Sequence, residues 1–132
     1  MRRLFAALCL CASASAFAQA FPEKPVTLVV PFPPGGPSDS LARQVAQKAG
    51  ARLGQNMLVE NVAGASGSIG TGRVARARPD GYTLAFGTIG TLVANVALYK
   101  SLPYDPAKDF EPVALLGGAP LVLVANAALP AS

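Results

Sequence analysis

The sequence predicts an α/β domain built on a mostly parallel β-sheet. Two observations carry this prediction: short apolar segments with strand character alternate with helical segments, and three strand-to-helix connections contain glycine. Strands separated by helices are joined by crossover connections, which makes neighbouring strands parallel. Ligands bind such sheets beyond the carboxyl ends of the strands, where all three glycine-containing loops fall. The sequence therefore predicts a ligand-binding edge.

The first half of the chain predicts strand, helix and strand. Val26 to Val30 forms the first predicted strand, Ser38 to about Leu53 the first helix, and Met57 to Glu60 the second strand. Gly54 takes the usual place after a helix end. Apolar residues recur every four positions and predict the buried face of this helix: Leu41, Val45, Ala49 and Leu53.

The second half continues the alternation. A helix is predicted from about Ser68 to Ala77, a turn at Pro79-Asp80-Gly81, and a strand from Tyr82 to Phe86. A third helix follows through Leu98. Two further apolar strands are predicted, Val113 to Leu116 and Leu121 to Val124.

The first loop, residues 31–37, holds four prolines and two glycines. Proline stiffens the backbone and glycine lets it approach a ligand closely, and we expect Gly36 to adopt a positive φ there. Ser38 or Asp39 can cap the helix that follows, whose free N–H groups favour an anion. This loop therefore predicts a binding site for a carboxylate or a phosphate.

The first 18 residues have the pattern of a secretory signal peptide. Arg2-Arg3 precede the apolar stretch Leu4 to Leu10, and Ala16-Phe17-Ala18 fits a cleavage site. The apolar stretch is too short to span a bilayer. We therefore expect a soluble, periplasmic protein whose mature chain begins near Gln19.

The composition excludes several classes of site. The sequence contains no histidine, and both cysteines, Cys9 and Cys11, lie in the predicted signal peptide. Histidine-dependent triads, histidine-ligated metals, thiolate nucleophiles and disulfides are therefore absent from the predicted mature chain. Removal of Arg2 and Arg3 leaves nine basic residues against seven acidic ones, a net charge of +2 that does not favour nucleic acid. We expect neither an enzyme nor a protein with a cofactor or metal.

Taken together, these residues resemble the N-terminal part of the tripartite tricarboxylate transporter substrate-binding family, the TctC or Bug-type extracytoplasmic receptors. The resemblance covers nearly all of the predicted mature chain. It rests on these stretches: Val29 to Arg43, Val59-Glu60-Asn61 with Gly64-Ala65, Pro79 to Leu84, Gly87 to Thr91, Leu98-Tyr99 with Leu102 to Pro106, and Lys108-Asp109-Phe110 with Pro112-Val113.

The resemblance implies a two-lobed, periplasmic-binding-protein-like fold of type II that closes on a small carboxylate and delivers it to a membrane permease. It divides the chain into a signal peptide (1–18), an incomplete first α/β lobe (19–110), and a crossover with the start of the second lobe (111–132). Family members are much longer than this chain. We therefore expect a truncated receptor, and a monomer in any complete form.

The resemblance also implies which residues contact the ligand, through backbone amides, hydroxyls and bridging waters. Asp39 is expected to act mainly in helix capping, because its carboxylate would repel an anionic ligand. Val62 stands where family members commonly have Arg or Lys. The implied contacts are Pro33, Pro34, Gly35, Gly36, Pro37, Ser38, Asp39, Gly64, Ala65, Gly87, Thr88 and Thr91.

Two other functions compete with this one. Gly70 to Ala75 fits a dinucleotide-binding pattern, but it lies inside a predicted helix and lacks the acidic residue that the pattern needs. The second alternative is a non-functional truncated product, or an interaction module without a small ligand, which an open sheet edge would favour. A ligand-induced rise in melting temperature would separate a receptor from that alternative.

Overall fold

The computed structural model describes residues 21–118, 122, 124–126 and 128. The predicted signal peptide lies outside these residues, and so do Leu121 and Leu123 of the last predicted strand. Among the described helices, none is both long enough and apolar enough to cross a membrane.

The sheet has three parallel strands in the order β2-β1-β3. These are β1 (Val26–Val30), β2 (Met57–Asn61) and β3 (Thr83–Ala85). Val30 of β1 lies opposite Asn61 of β2, and Val29 lies opposite Ala85 of β3. The prediction of a parallel sheet is therefore confirmed, and all three strands end at the same edge.

Helices connect the strands. Helix α1 spans Pro37–Leu53 and ends at Gly54 as predicted, and Gly54 has a left-handed φ of 67°. Helix α2 spans Ser68–Ala75 and follows a 3₁₀ turn at Ala65–Gly67. The predicted third helix is a π-helical turn at Gly90–Ala94 that continues into the single turn of α3, Asn95–Leu98.

The core forms around the central strand. Val26, Leu28, Val29 and Val30 are all buried, as the middle strand of a covered parallel sheet requires. Leu28 and Val30 pack with Ala42 of α1 and with Phe86, and four half-buried side chains surround this cluster: Phe32, Met57, Val59 and Leu84.

The predicted buried face of α1 is wrong. Leu41 and Leu53 are exposed and Val45 and Ala49 are only half-buried, whereas Asp39, Ala42 and Ala46 face inward. These inward residues have helical spacing, offset from the predicted set. On this face Asp39 hydrogen-bonds to the Gly35 N–H and to Asn61 of β2, and Ala42 packs in the core, so both contacts favour this orientation of the helix.

The predicted strand from Val113 to Leu116 is also wrong. Residues 111–118 have no regular secondary structure, and the Val113 and Leu115 side chains are 80% and 93% exposed. A strand requires a neighbouring strand to pair its N–H and C=O groups. Within the part of the chain that the structure describes, no strand pairs with this segment.

Candidate functional site

The first loop joins β1 to α1 through two glycines of different conformation. Gly35 has a φ of 85°, whereas Gly36 has a φ of −81° and is the N-cap of the helix. The expected positive φ at Gly36 is therefore wrong, and so is the expectation that Ser38 or Asp39 is the cap. Pro37 explains both, because proline is suited to the first helical position and places the residue before it at the N-cap.

Asp39 fixes this loop to the end of β2. Its Oδ2 accepts hydrogen bonds from the Gly35 N–H (2.9 Å) and from Nε of Arg43 (3.0 Å), and its Oδ1 accepts one from Nδ2 of Asn61 (2.9 Å). Asn61 also donates to the Phe32 carbonyl (3.1 Å) and accepts from Nη2 of Arg43 (3.1 Å). We call Asp39, Arg43 and Asn61 the first-loop triad.

The hydrogen bonds around Asp39 determine the charge of its carboxyl group. The hydrogen bond from Arg43, followed by those from Gly35 and Asn61, lowers the pKa of Asp39 from 3.8 to about 2. Asp39 is therefore ionised at neutral pH. Because both of its oxygens accept hydrogen bonds within the protein, its carboxylate holds the loop in place.

Few backbone donors of the first loop are available to a ligand. Proline has no N–H, the Gly35 N–H is taken by Asp39, and the Ser40 N–H donates to the Gly36 carbonyl. The Gly36 N–H, at the N-cap, donates to no acceptor among the described residues, and neither do the N–H groups of Ser38 and Asp39 in the first helical turn. These groups lie at the positive end of α1 and are suited to bind an anion.

The second loop, between β2 and α2, has an unusual backbone. Four successive residues, Gly64 to Gly67, have φ values of 133°, 46°, 54° and 86°. Ala65 and Ser66 are not glycines, and the left-handed conformation costs such residues about 1–2 kcal/mol each. Contacts from elsewhere in the fold must therefore hold this loop.

Two side chains from the α3 region supply such contacts. Nδ2 of Asn95 donates to the Ser66 carbonyl (3.0 Å), and the Tyr99 hydroxyl donates to Oγ of Ser66 (2.9 Å). Asn95 is buried. On the other side of the loop, Oγ of Ser68 donates to the Ala65 carbonyl.

The third loop, after β3, is organised by a pair of threonines. The Thr88 N–H donates to Oγ1 of Thr91 (3.1 Å), and the Thr91 N–H donates to Oγ1 of Thr88 (3.3 Å). Thr91 is fully buried, and its carbonyl accepts a hydrogen bond from the Tyr104 hydroxyl (2.6 Å). Thr88 is half-buried, so its side chain is the more accessible of the two.

The loops meet around Pro31, the residue after β1. A Cβ added to Gly67 would lie 2.7 Å from Cγ2 of Thr91 and 3.2 Å from Cβ of Pro31. A Cβ on Gly70 would lie 3.1 Å from Cα of Pro31 and 2.5 Å from the Val62 carbonyl oxygen. The three loops therefore lie together at one edge of the sheet, and their contact with a ligand stays a prediction.

Asp39, Thr88 and Thr91 were predicted as site residues, but three other residues that hold these loops, Arg43, Asn95 and Tyr99, were not. The spacing of Asp39 and Arg43, four positions apart on one helix, is a signal that could have identified that pair. Nothing local marks Asn95 and Tyr99, which lie 29 and 33 positions from Ser66. Thr71 of α2 was also missed: its buried Oγ1 has no hydrogen-bond partner among the described residues.

Comparison with known proteins identifies the family. Residues 41–132 match the family TctC, described as tripartite tricarboxylate transporter family receptor. The chain belongs to this family. The resemblance predicted from the sequence is therefore confirmed.

Curated relatives agree with this assignment. A protein encoded in the TAR-I ttuE-ttuC' intergenic region of Agrobacterium vitis is 48% identical over 104 residues, which are 79% of this chain and 30% of that protein. Protein BugT of Bordetella pertussis is 43% identical over 110 residues, which are 83% of this chain and 34% of BugT. The chain thus spans about a third of the length of these relatives.

Solved structures confirm the predicted fold class. MatC from Rhodopseudomonas palustris, solved with bound malate, is 51% identical with a TM-score of 0.71, over 73% of this chain and 33% of MatC. A second R. palustris protein, solved with adipate, is 42% identical with a TM-score of 0.64, over 66% of this chain and 29% of that protein. A structure described as a periplasmic transporter has a TM-score of 0.66 at 51% identity, over 67% of this chain and 30% of that one. The chain thus has the α/β fold of a periplasmic-binding-protein lobe.

Proposed function

We propose that this chain binds a small carboxylate at the edge where its three loops meet, as part of a receptor that delivers the ligand to a tripartite tricarboxylate transporter permease. One observation carries the proposal. The MatC structure that holds malate matches 73% of this chain at 51% identity. The adipate-bound relative supports the same ligand class.

The chemistry of the edge suits a carboxylate. The free N–H groups of Ser38 and Asp39 lie at the positive end of α1, and the Thr88 hydroxyl is accessible on the third loop. All of these donors are neutral. The guanidinium of Arg43 is engaged by the first-loop triad, and Val62 brings no charge.

The proposed contacts are the twelve residues that the family resemblance implies, and the structure suggests a role for each group. The prolines shape the first loop, and Asp39 would act through its N–H rather than its carboxylate. Thr91 is buried and would act by orienting Thr88. The backbone at Gly64, Ala65 and Gly87 would border the ligand on either side.

The proposal also includes the remaining predictions from the sequence. Residues 1–18 would be a signal peptide that directs the chain to the periplasm. Residues 19–110 would form the first lobe, and residues 111–132 the crossover and the start of the second. The chain would bind its ligand without chemical conversion and without a cofactor.

Thermal shift and calorimetry with malate and adipate test the proposal. We expect either dicarboxylate to raise the melting temperature, and dimethyl malate at matched ionic strength to have no effect. Because the donors are amides and hydroxyls, affinity should survive EDTA and change little between pH 6 and 8. No rise with any carboxylate would favour an interaction module, and loss of binding in EDTA would contradict the neutral-donor site.

The variant Gly36→Val separates binding from folding. Gly36 has an extended backbone that valine adopts, and a Cβ at this position would have only the Pro33 carbonyl oxygen nearby, at 3.9 Å. We therefore expect an unchanged melting temperature without ligand and a loss of malate binding, because the branched side chain occupies the ligand side of the loop. Unchanged affinity would remove the first loop from the site.

A further inference from the structure

We propose that Asn95 and Tyr99 are positioning residues of the ligand-binding edge: they hold Ser66 in its left-handed conformation and so fix the second loop against the ligand. This inference rests on the proposed function, since it assigns these residues to the same site. Neither residue is among the twelve proposed ligand contacts.

The second loop needs such support because its own sequence does not favour its conformation. Ser66 has a φ of 54° and follows Ala65, whose φ is 46°. Glycine adopts such values readily, but side chains other than Gly, Asn and Asp rarely do. Left-handed residues that are not glycine persist when surrounding contacts determine them, and they cluster at binding sites.

Both contacts come from the single turn of α3 and its C-cap residue, Tyr99. Asn95 and Tyr99 are four positions apart, which places their side chains on the same face of the helical turn. The buried amide of Asn95 binds the Ser66 carbonyl, and the Tyr99 hydroxyl binds the Ser66 hydroxyl. Backbone and side chain of a single residue are thus held at once, which fixes its orientation.

The same segment is anchored to the third loop. Tyr104 donates to the carbonyl of Thr91, which lies in the π-helical turn leading into α3. Thr91 in turn lies against Gly67, the last residue of the second loop. The second and third loops are therefore held by one connected set of residues, so that displacing Tyr99 loosens one side of the proposed site.

A double-mutant cycle tests the assignment. We expect Tyr99→Phe to weaken malate binding by about 5- to 10-fold, the effect of one lost hydrogen bond of roughly typical strength. In a Ser66→Gly background we expect the same change to cost less than about 2-fold, because glycine has no Oγ for Tyr99 to bind and adopts the left-handed backbone without support. A merely structural role of Tyr99 would give the same loss in both backgrounds, and that result would overturn the proposal.

Tyr82→Phe is the matched control. The Tyr82 hydroxyl also makes one hydrogen bond, accepting from the Glu23 N–H, but it does so beside the start of β3. We expect this variant to bind malate like the unaltered chain. Equal losses in Tyr82→Phe and Tyr99→Phe would show a general effect of hydroxyl removal and would overturn the assignment.

Hydrogen exchange without ligand separates this proposal from the proposed function. The Gly67 N–H donates to the Gly64 carbonyl, and the Ser68 N–H donates to the Ala65 carbonyl. Tyr99→Phe and Asn95→Ala should speed exchange of these two amides, whereas Tyr82→Phe should not. If the unaltered chain binds no carboxylate, the proposed function fails. The exchange rates of these two amides still decide whether Asn95 and Tyr99 hold the second loop. Unchanged exchange in both variants would overturn the assignment.

Discussion

The loops after β1 and β2 lie side by side at one edge of the sheet but are held in different ways. In the first loop, the Asp39 carboxylate binds the Gly35 N–H and Arg43, each four positions away, and reaches β2 only through Asn61. In the second loop, the supports of Ser66 come from Asn95 and Tyr99, far along the chain. The first loop is determined largely by local sequence and the second by tertiary contacts.

Glycines in the two loops show the same difference. Gly35 and Gly67 have nearly equal φ values, 85° and 86°. A Cβ on Gly35 would meet no atom within 4 Å, whereas a Cβ on Gly67 would press against Thr91 and Pro31. Glycine is required at position 35 by its positive φ alone. At position 67 it is required both by the positive φ and by close packing.

The largest expected effect is that of Gly67→Ala. The substitution adds the strain of a left-handed alanine to a clash in a closely packed region, so we expect a loss of about 2–4 kcal/mol in the free energy of unfolding. Urea denaturation measures it. A loss no larger than that of Gly35→Ala would show that the contacts among Gly67, Thr91 and Pro31 are loose.

The second expected effect is a pH dependence that originates in the first loop. Because the pKa of Asp39 is lowered to about 2 in the folded protein, its contribution to stability is fully present above about pH 4 and is lost as pH falls through about 2. We therefore expect acid denaturation of Asp39→Asn to be shallower than that of the unaltered chain between about pH 4 and about pH 2.

Asp105→Asn is the control for this titration. Its hydrogen bond with Lys108 also lowers the pKa of Asp105, but this pair lies at the surface and takes no part in the first-loop triad. Salt screens such pairs, so the Asp105 variant should follow the unaltered chain at high ionic strength. Identical acid profiles for all three proteins would contradict the role of Asp39.

A smaller loss is expected from Gly35→Ala. Only the positive φ opposes alanine at this position, so the free energy of unfolding should fall by about 1 kcal/mol. Gly36→Ala is the matched comparison, since Gly36 has a negative φ and open surroundings; there the change should be within about 0.5 kcal/mol. Equal losses at both glycines would place the strain elsewhere in the loop.

The last prediction concerns a polar group without a partner. Both oxygens of Asp39 are hydrogen-bonded, whereas the buried Oγ1 of Thr71, in the helix after the second loop, has no partner among the described residues. Replacing the hydroxyl by a methyl group in Thr71→Val should raise the free energy of unfolding by about 1 kcal/mol. A decrease in the same denaturation experiment would mean that a bound water satisfies Thr71.

The difference between the loops also explains what could be predicted from the sequence. Strand β1 and the turn of Gly54 were predicted at the observed positions, because apolar runs and glycine act locally. The likeness of the first loop to a binding loop was visible for the same reason. The supports of Ser66 were not visible, since no local pattern indicates contacts with residues that lie far along the chain.

The same reasoning explains the errors. The buried face of α1 contains the hydrogen-bonded carboxylate of Asp39, and a count of apolar residues at helical spacing takes no account of a buried carboxylate. Val113 to Leu116 has strand composition, but composition does not supply a pairing partner. The π-helical turn at Gly90–Ala94 likewise has no signal in apolar periodicity.

The order of strands in the sheet determines the order in which it can form during synthesis. The central strand β1 is the first to be made, yet its partners are residues 57–61 on one side and 83–85 on the other. One side of its backbone therefore stays unpaired until residues 57–61 are available, and the other side until residues 83–85 are available. Closing those long loops before any pairing is gained makes folding slow compared with a chain of local contacts. A chaperone that recognises extended apolar segments would thus find at least one edge of Val26–Val30 accessible until residues 83–85 are made.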